Sequence, residues 1–311
     1  MKKITARAIG AILAAITLIG CGSAQKSWIT DLDEAKAASQ KGKKDLLVVF
    51  TGSDWNDPSK NLLTAVFTED FFKKAGKNYV LCNIDIVQDE SLMDQALVEK
   101  NYGIATTMGI QAMPTALLFT KDGDRYGSAT TPEGIASPAE FIEWLGSFSE
   151  NRDKILKLKA NINKSKGTER AKNIDAFMDE VDPGQRQQYA DLIREVLTLD
   201  ASGEAGLRSE YRLQVAYLDA IALYQTGDME NAANCFVTAA GEGLLDPAQV
   251  QEAWYMGAYL SALSGKVENA TILEWLDKAI AADPENPGVT QIRSAIEQIK
   301  NAPEGATALG N

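Results

Sequence analysis

The amino-acid sequence predicts an α/β domain followed by an all-α domain. Strand-like apolar runs, among them Leu46–Phe50 and Tyr79–Ile86, alternate with helical stretches in the first half of the chain. After Ser149 these runs stop, and the remaining sequence is typical of helices. A length of 311 residues is sufficient for two domains with separate cores.

The N-terminus has the features of an export signal. Lys2, Lys3 and Arg7 form a basic region, and an apolar stretch from Ala8 to Ile19 follows it. This stretch is too short for a membrane-spanning helix and fits a secretory signal. We therefore assign residues 1–20 to a signal peptide.

The segment Leu18-Ile19-Gly20-Cys21 resembles the lipobox of bacterial lipoproteins. The resemblance implies that Cys21 becomes the lipidated first residue and that residues 21–27 link this membrane anchor to the folded chain. Gly22 stands where inner-membrane lipoproteins have Asp, which implies a periplasm-facing lipoprotein of the outer membrane rather than the inner one. The alternative is ordinary cleavage, for example after Ala24, which would discard Cys21 and leave a secreted protein.

The elements of the first domain follow one another in a regular order. Asp31–Lys41 has apolar residues on one helical face, and the two strand-like runs come after it. The remaining predicted elements are a helix over Leu92–Tyr102 ended by Gly103, a strand over Met113–Phe119, the turn Lys121–Asp124 and a closing helix over Phe141–Phe148.

The loop that joins the first strand to the next helix contains the sequence Trp55-Asn56-Asp57-Pro58-Ser59. Proline suits the first turn of a helix, and Asn and Asp are residues that cap one. The sequence therefore predicts a helix that begins near Pro58 and is capped by Asn56 or Asp57.

Over residues 28–150, the order and spacing of these segments resemble the thioredoxin fold family. The resemblance implies a central mixed sheet flanked by helices, and a cis Pro114 that faces the loop. The family has Trp-Cys-x-x-Cys where this chain has Trp55-Asn56-Asp57-Pro58-Ser59, so both sulfur atoms are missing. The acid that many members bury beneath the cysteine pair is replaced here by Val49.

The missing sulfur atoms limit the chemistry of this loop. Thiol–disulfide exchange needs a thiolate, which Asn56 and Ser59 cannot supply, and the lack of His excludes Ser-His and Cys-His sites. We expect Cys82, on a strand, and Cys235, in a helix of the other domain, to be buried as small hydrophobic residues. The sequence thus predicts no catalytic residue, metal site or cofactor. The alternative is an atypical thiol–disulfide oxidoreductase or redox-homeostasis protein that uses Cys82 or Cys235.

The charge balance restricts the class of partner. The chain has 31 Lys and Arg residues against 43 Asp and Glu residues, a net charge of −12. Loss of the signal peptide removes three positive charges, which gives −15 for the mature chain. This excess of negative charge argues against nucleic acid or a broad anionic membrane surface as the main partner.

Residues 151–210 are predicted to form a helical connector. The run Arg152–Lys172 is locally basic, which is typical of a solvated helix face, although contact with acidic lipid headgroups near the anchor is an alternative. Further helices are expected over Glu169–Val181 and Gln185–Leu199, on either side of Asp182-Pro183-Gly184.

A pattern of small and aromatic residues recurs within residues 211–300, and a stripe of isoleucines follows it. The residues that carry the pattern are Ala220, Gly227, Ala232, Phe236 and Ala239, then Trp254, Ala258, Gly265, Ala279 and Pro284, then Ile292, Ile296 and Ile299. This spacing resembles two tetratricopeptide helix pairs and a capping helix. Residues 301–311 are predicted to be a tail.

In the tetratricopeptide family the first helix of each unit lines a concave binding surface. Carried over by position, that surface would contain Gln214, Tyr217, Tyr224, Tyr255 and Tyr259. Tyrosine suits binding because it brings contact area and a hydroxyl group with little entropy to lose. Simple packing between helices is the alternative role for each of these tyrosines.

These observations together predict a binding protein without redox chemistry, an adaptor or chaperone-like factor whose partner is a peptide or protein. The groove formed by Trp55 and the Met113-Pro114 backbone is expected to hold an extended peptide as an added strand. A third hypothesis makes the first domain a spacer and leaves all recognition to the helical repeats.

Overall fold

The computed structural model describes residues 27–301, which divide into two compact units at Ser149 and Glu150. The predicted signal peptide, the lipidation site Cys21 and nearly all of the predicted tail lie outside the described residues. Within residues 27–301, no helix has the length and apolar character needed to span a membrane.

The first unit is built on a mixed four-stranded sheet in the order β2-β1-β3-β4, which confirms the sheet type expected from the sequence. The central strand β1 runs parallel to β2 and antiparallel to β3, and β3 runs antiparallel to β4. The strands are β1 Asp45–Thr51, β2 Tyr79–Asp85, β3 Thr115–Phe119 and β4 Arg125–Thr130.

Helices flank this sheet and cover its apolar side chains. All of β1 is buried, and alternate residues Leu46, Val48 and Phe50 pack with Leu32 and Ala35 of the first helix. The helices are α1 Leu32–Gly42, α2 Asp57–Asn61, α3 Glu69–Ala75, α4 Gln95–Thr107 and α5 Pro138–Gly146. A π-helical turn, Leu62–Val66, continues α2, and a 3-10 turn, Glu90–Leu92, precedes α4.

The prediction that Gly103 ends the fourth helix was wrong. α4 continues to Thr107, because it brings Ala105 into the core and packs Ile104 against it. Burying such side chains outweighs the roughly 1 kcal/mol that an interior glycine costs a helix. The turn that follows the helix uses Gly109 instead, whose φ of 70° lies in the left-handed region that glycine adopts readily.

The second unit is helical throughout its described residues. Its helices are α6 Ser149–Lys164, α7 Gly167–Met178, α8 Ala190–Leu199, α9 Arg208–Gln225, α10 Met229–Gly241, α11 Pro247–Ser264, α12 Asn269–Ala282 and α13 Val289–Asn301. The prediction of an α-helix from Gln185 was wrong in its start, because Pro183–Tyr189 forms a 3-10 helix whose first turn is capped by Asp182.

Consecutive helices from α9 to α13 pack against one another through small residues. The buried side chains between α9 and α10 include Ala220, Ala232 and Phe236. A Cβ atom on Gly257 of α11 would lie 2.7 Å from Val237 Cγ2, so glycine permits the close approach of α11 to α10. Ile292, Ile296 and Ile299 of α13 are buried as the sequence predicted. Assignment of these helix pairs to the tetratricopeptide family stays a prediction.

Candidate functional site

Three segments of the first unit meet at one edge of the sheet. Phe50 pairs with Thr115 and Thr51 pairs with Asp85, so β1 and β2 end where β3 begins. The loop after Thr51, the chain after Asp85 and the Met113-Pro114 segment are therefore neighbours. This edge is the candidate site.

Asn56 and Ser59 close the loop through hydrogen bonds. Asn56 is the one of the two predicted residues that caps α2: its Oδ1 atom accepts from the Ser59 backbone N–H at 2.9 Å and from the Ser59 hydroxyl at 2.7 Å. The same hydroxyl oxygen accepts from the Gly52 N–H at 3.1 Å, and Ser59 is fully buried. The side chains of Asn56 and Ser59, which the sequence resemblance aligns with two cysteines, are thus joined by a hydrogen bond.

Trp55 is an exposed residue of the loop. Its side chain is 37 % exposed, while its indole Nε1–H donates to the Ile86 carbonyl oxygen at 2.7 Å. The ring lies against Gly52, where a Cβ atom would come within 2.5 Å of Trp55 Cε2. Gly52 is therefore needed for the position of the indole, and part of the Trp55 side chain stays exposed to the solvent.

Asp85 holds the start of the loop in place, a role that was not predicted from the sequence. Its carboxylate accepts from the Thr51 hydroxyl at 2.8 Å, from the Ser53 N–H at 2.9 Å and from the Ser53 hydroxyl. The neighbouring Asn83 donates to the Val49 carbonyl oxygen at 3.0 Å. The sequence feature that could have indicated this role is a pair of polar residues, Asn83 and Asp85, which alternate with apolar residues at the end of a predicted strand.

Asp54 holds the loop to the chain beyond β2. Its carboxylate accepts from the backbone N–H of Asp89 at 2.7 Å and of Gln88 at 2.9 Å. The bond from Asp89 is the main cause that lowers the pKa of Asp54 below its ordinary value. On the same segment, the Tyr102 hydroxyl donates to the Val87 carbonyl oxygen at 3.0 Å. The loop and its neighbour are therefore fixed to each other.

The Met113–Pro114 peptide bond is cis, as the resemblance implied. Pro114 is buried and its carbonyl oxygen accepts from the Thr131 N–H at 2.9 Å, while the Met113 side chain packs against the core cluster. No residue within 27–301 makes a hydrogen bond to the Met113 N–H or carbonyl oxygen. One backbone donor and one acceptor beside the loop therefore remain for a ligand.

The two cysteines of the described chain lie away from this edge or inside the fold. Cys82 is buried in β2, where desolvation raises the pKa of its thiol to about 12. The prediction that Cys235 is buried was wrong, because this residue on α10 is only partly covered by the core that it packs against. Its pKa is also raised, mainly by desolvation. A thiol with a raised pKa is protonated at neutral pH and is a poor nucleophile.

We expect both thiols to resist alkylation in the native protein. Cys82 should stay unmodified by N-ethylmaleimide at pH 7 until the chain is unfolded, and Cys235 should react more slowly than a free cysteine peptide. Peptide mass mapping after timed exposure, with and without denaturant, measures each site separately. Rapid native labelling of Cys82 or Cys235 would contradict this expectation and would support the oxidoreductase alternative.

Among the tyrosines predicted to form a binding surface on the second unit, Tyr217 and Tyr255 make contacts between helices. The Tyr217 ring packs on Phe236 with centroids 4.8 Å apart, and its hydroxyl donates to Glu252. Burial is the main cause that raises the Tyr217 pKa. The Tyr255 hydroxyl accepts from Gln291 at 2.9 Å.

The other three predicted surface residues differ in exposure. Tyr224 is 50 % exposed on α9, whereas Tyr259 is half-buried and stacks on Tyr255 with centroids 6.5 Å apart. Gln214 is half-buried and donates to Glu210 at 2.9 Å. Tyr224 is therefore the predicted residue most available to a partner.

Comparison with known proteins gives matches for both units. A family model described as "Thioredoxin-like domain" matches residues 32–149, and one described as "Uncharacterised protein C-terminal domain" matches residues 207–305. An "Uncharacterized protein" of Treponema pallidum (strain Nichols) is 26% identical over 287 residues, which cover 92% of this chain and 94% of that protein.

Two further proteins are similar to parts of the chain. The "Thioredoxin-related protein DsbJ" of Chlamydia pneumoniae is 24% identical over 96 residues, which cover 30% of this chain and 27% of that protein. A solved structure named "DsbH Oxidoreductase" is 20% identical with a TM-score of 0.36, and the match covers 45% of this chain and 94% of that one.

The chain therefore has a thioredoxin-like N-terminal domain with a mixed four-stranded sheet. An all-helical region follows this domain in the described chain. The loop with Asn56 and Ser59 lies within the residues that the "Thioredoxin-like domain" model matches.

Proposed function

We propose that this protein is an exported, lipid-anchored polypeptide-binding factor whose thioredoxin-like domain binds extended polypeptide segments without redox chemistry. The observation that carries the proposal is the combination found at one sheet edge. Asn56 and Ser59 are hydrogen-bonded to each other in place of a cysteine pair, while the backbone of Met113 keeps a donor and an acceptor unpaired. This combination supports binding of a polypeptide at a loop whose cysteine positions lack sulfur.

The free peptide unit of Met113 supports binding of an extended segment. An added strand is held mainly by main-chain hydrogen bonds, which the Met113 N–H and carbonyl oxygen can supply. The exposed part of Trp55 adds apolar contact area at the same edge, and a tryptophan side chain brings much area with few rotatable bonds. Such a site binds many sequences with modest affinity, which suits an adaptor or chaperone-like role.

The competing assignment is an atypical thiol–disulfide oxidoreductase or redox-homeostasis protein of the cell envelope. The name of the DsbJ relative favours it. It would require a nucleophile at Cys82 or Cys235, since positions 56 and 59 lack sulfur. The burial of Cys82 and the raised pKa values of both thiols favour the binding role instead.

The helical region is the second part of the proposal. We assign α9 to α12 as tetratricopeptide-like pairs that carry an additional protein-binding surface, with Tyr224 at its most exposed point. Lipidation at Cys21 would place both units at the periplasmic face of the outer membrane. If the chain is instead cleaved after Ala24, the same binding protein would be secreted.

Site-specific photo-crosslinking in native membranes tests this proposal. With benzoylphenylalanine at Met113, we expect discrete polypeptide adducts, weakened when Trp55 is replaced by Ala. A probe at Asp122 is the matched control, because this exposed residue follows β3 at the opposite end of the strand from Met113. A separate probe at Tyr224 examines the helical region and is preferred to one at Tyr217, whose ring has a packing role.

Adducts at Tyr224 alone would make the helical region the recognition surface and the first domain a spacer. Equal adducts at Met113 and Asp122 would contradict a defined groove.

The same membranes test the anchor, because Cys21→Ser is expected to move the protein from the membrane to the soluble fraction. Retention of this variant in the membrane would contradict lipidation at Cys21.

A further inference from the structure

The orientation of the Asn56 side-chain amide is set by the atoms around it. A backbone N–H can only donate a hydrogen bond, so the atom that faces the Ser59 N–H at 2.9 Å must be the amide oxygen. The Ser59 hydroxyl donates to this same oxygen at 2.7 Å. Both lone pairs of the Asn56 Oδ1 atom are therefore occupied within the loop.

This arrangement leaves the other end of the amide available. The Asn56 Nδ2 group carries two N–H donors, and none of the described residues 27–301 accepts a hydrogen bond from it. The side chain is half-buried, so it retains access to the solvent. It belongs to the same sheet edge as the unpaired backbone of Met113.

We infer that Asn56 Nδ2 donates a hydrogen bond to a backbone carbonyl oxygen of the polypeptide held by Met113. This inference deepens the proposed function and rests on it. Asn56 stands at the first cysteine position of the resembling family, where a sulfur atom would form a covalent bond to a client. An amide donor at this point holds a chain reversibly and without any change in its oxidation state.

The charges of the loop favour a neutral acceptor over a carboxylate. Asp54 and Asp57 flank this position, and Asp57 has one ion-pair partner in the described chain, Lys60 at 3.1 Å. A carboxylate ligand would be repelled by these neighbours, whereas a peptide carbonyl oxygen carries no net charge. A carbonyl oxygen also occurs in every residue of a client, which agrees with binding of varied sequences.

Asn56→Asp is the sharpest test, because it removes the donor and keeps the acceptor. Aspartate caps helices as well as asparagine does, so the contacts with Ser59 should persist and the midpoint of thermal unfolding should not fall. The probe is the tightest fluorescein-labelled decapeptide selected from a random library on the wild-type protein. We expect its affinity to fall about fivefold, the effect of one hydrogen bond of typical net strength.

Two controls separate loss of the donor from added charge. Repulsion by the new carboxylate would be screened by salt, so a loss of affinity that vanishes at high ionic strength would overturn the inference. The second control replaces one peptide amide of the probe at a time by an ester, whose carbonyl oxygen is a weaker hydrogen-bond acceptor. At the position that contacts Asn56, this replacement should weaken binding of the probe to the wild-type protein and leave its binding to the Asn56→Asp variant unchanged.

The outcomes distinguish this inference from the function it deepens. Unchanged affinity of a folded Asn56→Asp protein would overturn the role of Asn56 and leave the binding function intact. Failure of the wild-type protein to bind any library peptide would overturn the proposed groove and the inference together.

Discussion

Replacing Asn56 and Ser59 together by cysteine is expected to convert this domain into a thiol–disulfide oxidoreductase. The side chains at these two positions already meet, since Asn56 Oδ1 and Ser59 Oγ are 2.7 Å apart. A disulfide between cysteines at these positions requires that the two sulfur atoms meet over the same turn, about 2.05 Å apart. Activity in an insulin reduction assay should rise from background to a measurable rate.

The place of the first introduced thiol, at position 56 of the double variant, explains the expected activity. A cysteine at the start of a helix has a lowered pKa because the first-turn N–H groups and the helix dipole stabilise its thiolate. The second introduced thiol would replace the fully buried hydroxyl of Ser59 and act as the resolving group. Chain entropy predicts that the oxidised form is more stable than the dithiol form by about 2 kcal/mol.

Intact mass before and after reduction detects the new disulfide, and unfolding in urea compares the two forms. The single variants Asn56→Cys and Ser59→Cys are matched controls, because each has one thiol in the loop and should show no reductase activity. A folded double variant that stays reduced under oxidising conditions would show that the loop has lost the geometry of a dithiol site. The retained scaffold would then be a resemblance of fold alone.

The parts of the site that depend on residues close together in the sequence could be predicted from local sequence patterns. A helix near Pro58 with Asn56 or Asp57 as its cap was predicted because a capping residue and its partner N–H lie within one turn, and the structure has Asn56 as the cap. The cis form of Pro114 followed from the resemblance and not from the residues themselves.

Features that depend on distant partners were not predictable in this way. Asp85 was assigned only to a strand, because its role comes from Ser53, which lies 32 residues earlier in the chain. β4 was missed since Arg125–Thr130 contains a glycine and few strongly apolar residues, and pairing with β3 stabilises it. Gly103 was taken as a helix end because burial of Ile104 and Ala105 is a tertiary effect.

In the helical unit, substitution of Asp200 is expected to have a large effect on stability. Its fully buried carboxylate accepts from the backbone N–H of Ala205 at 2.7 Å, of Leu207 at 2.8 Å and of Arg208 at 3.1 Å. The start of α9 has no side-chain cap of its own, because Leu207 occupies the cap position. Asp200 therefore performs the capping function from the end of the preceding helix.

We expect Asp200→Ala to destabilise the helical unit by about 3 kcal/mol. The substitution removes a charged acceptor and leaves three donors in a partly closed loop with incomplete replacement by water. Urea unfolding followed by circular dichroism measures the loss in the full chain, and hydrogen exchange locates it at the first turn of α9. The Asp200→Asn variant should lose less stability than Asp200→Ala, because the asparagine side chain keeps one carbonyl oxygen as an acceptor.

The exposed Asp191, in the first turn of α8, provides the matched control. Asp191→Ala removes the same charge without a buried network and should change stability by less than about 1 kcal/mol. An equal, small effect at both positions would contradict the capping role of Asp200. A large effect confined to Asp200, with exchange protection lost around Arg208, would show that one carboxylate fixes the entry of the chain into α9, and thereby the helix that carries the exposed Tyr224.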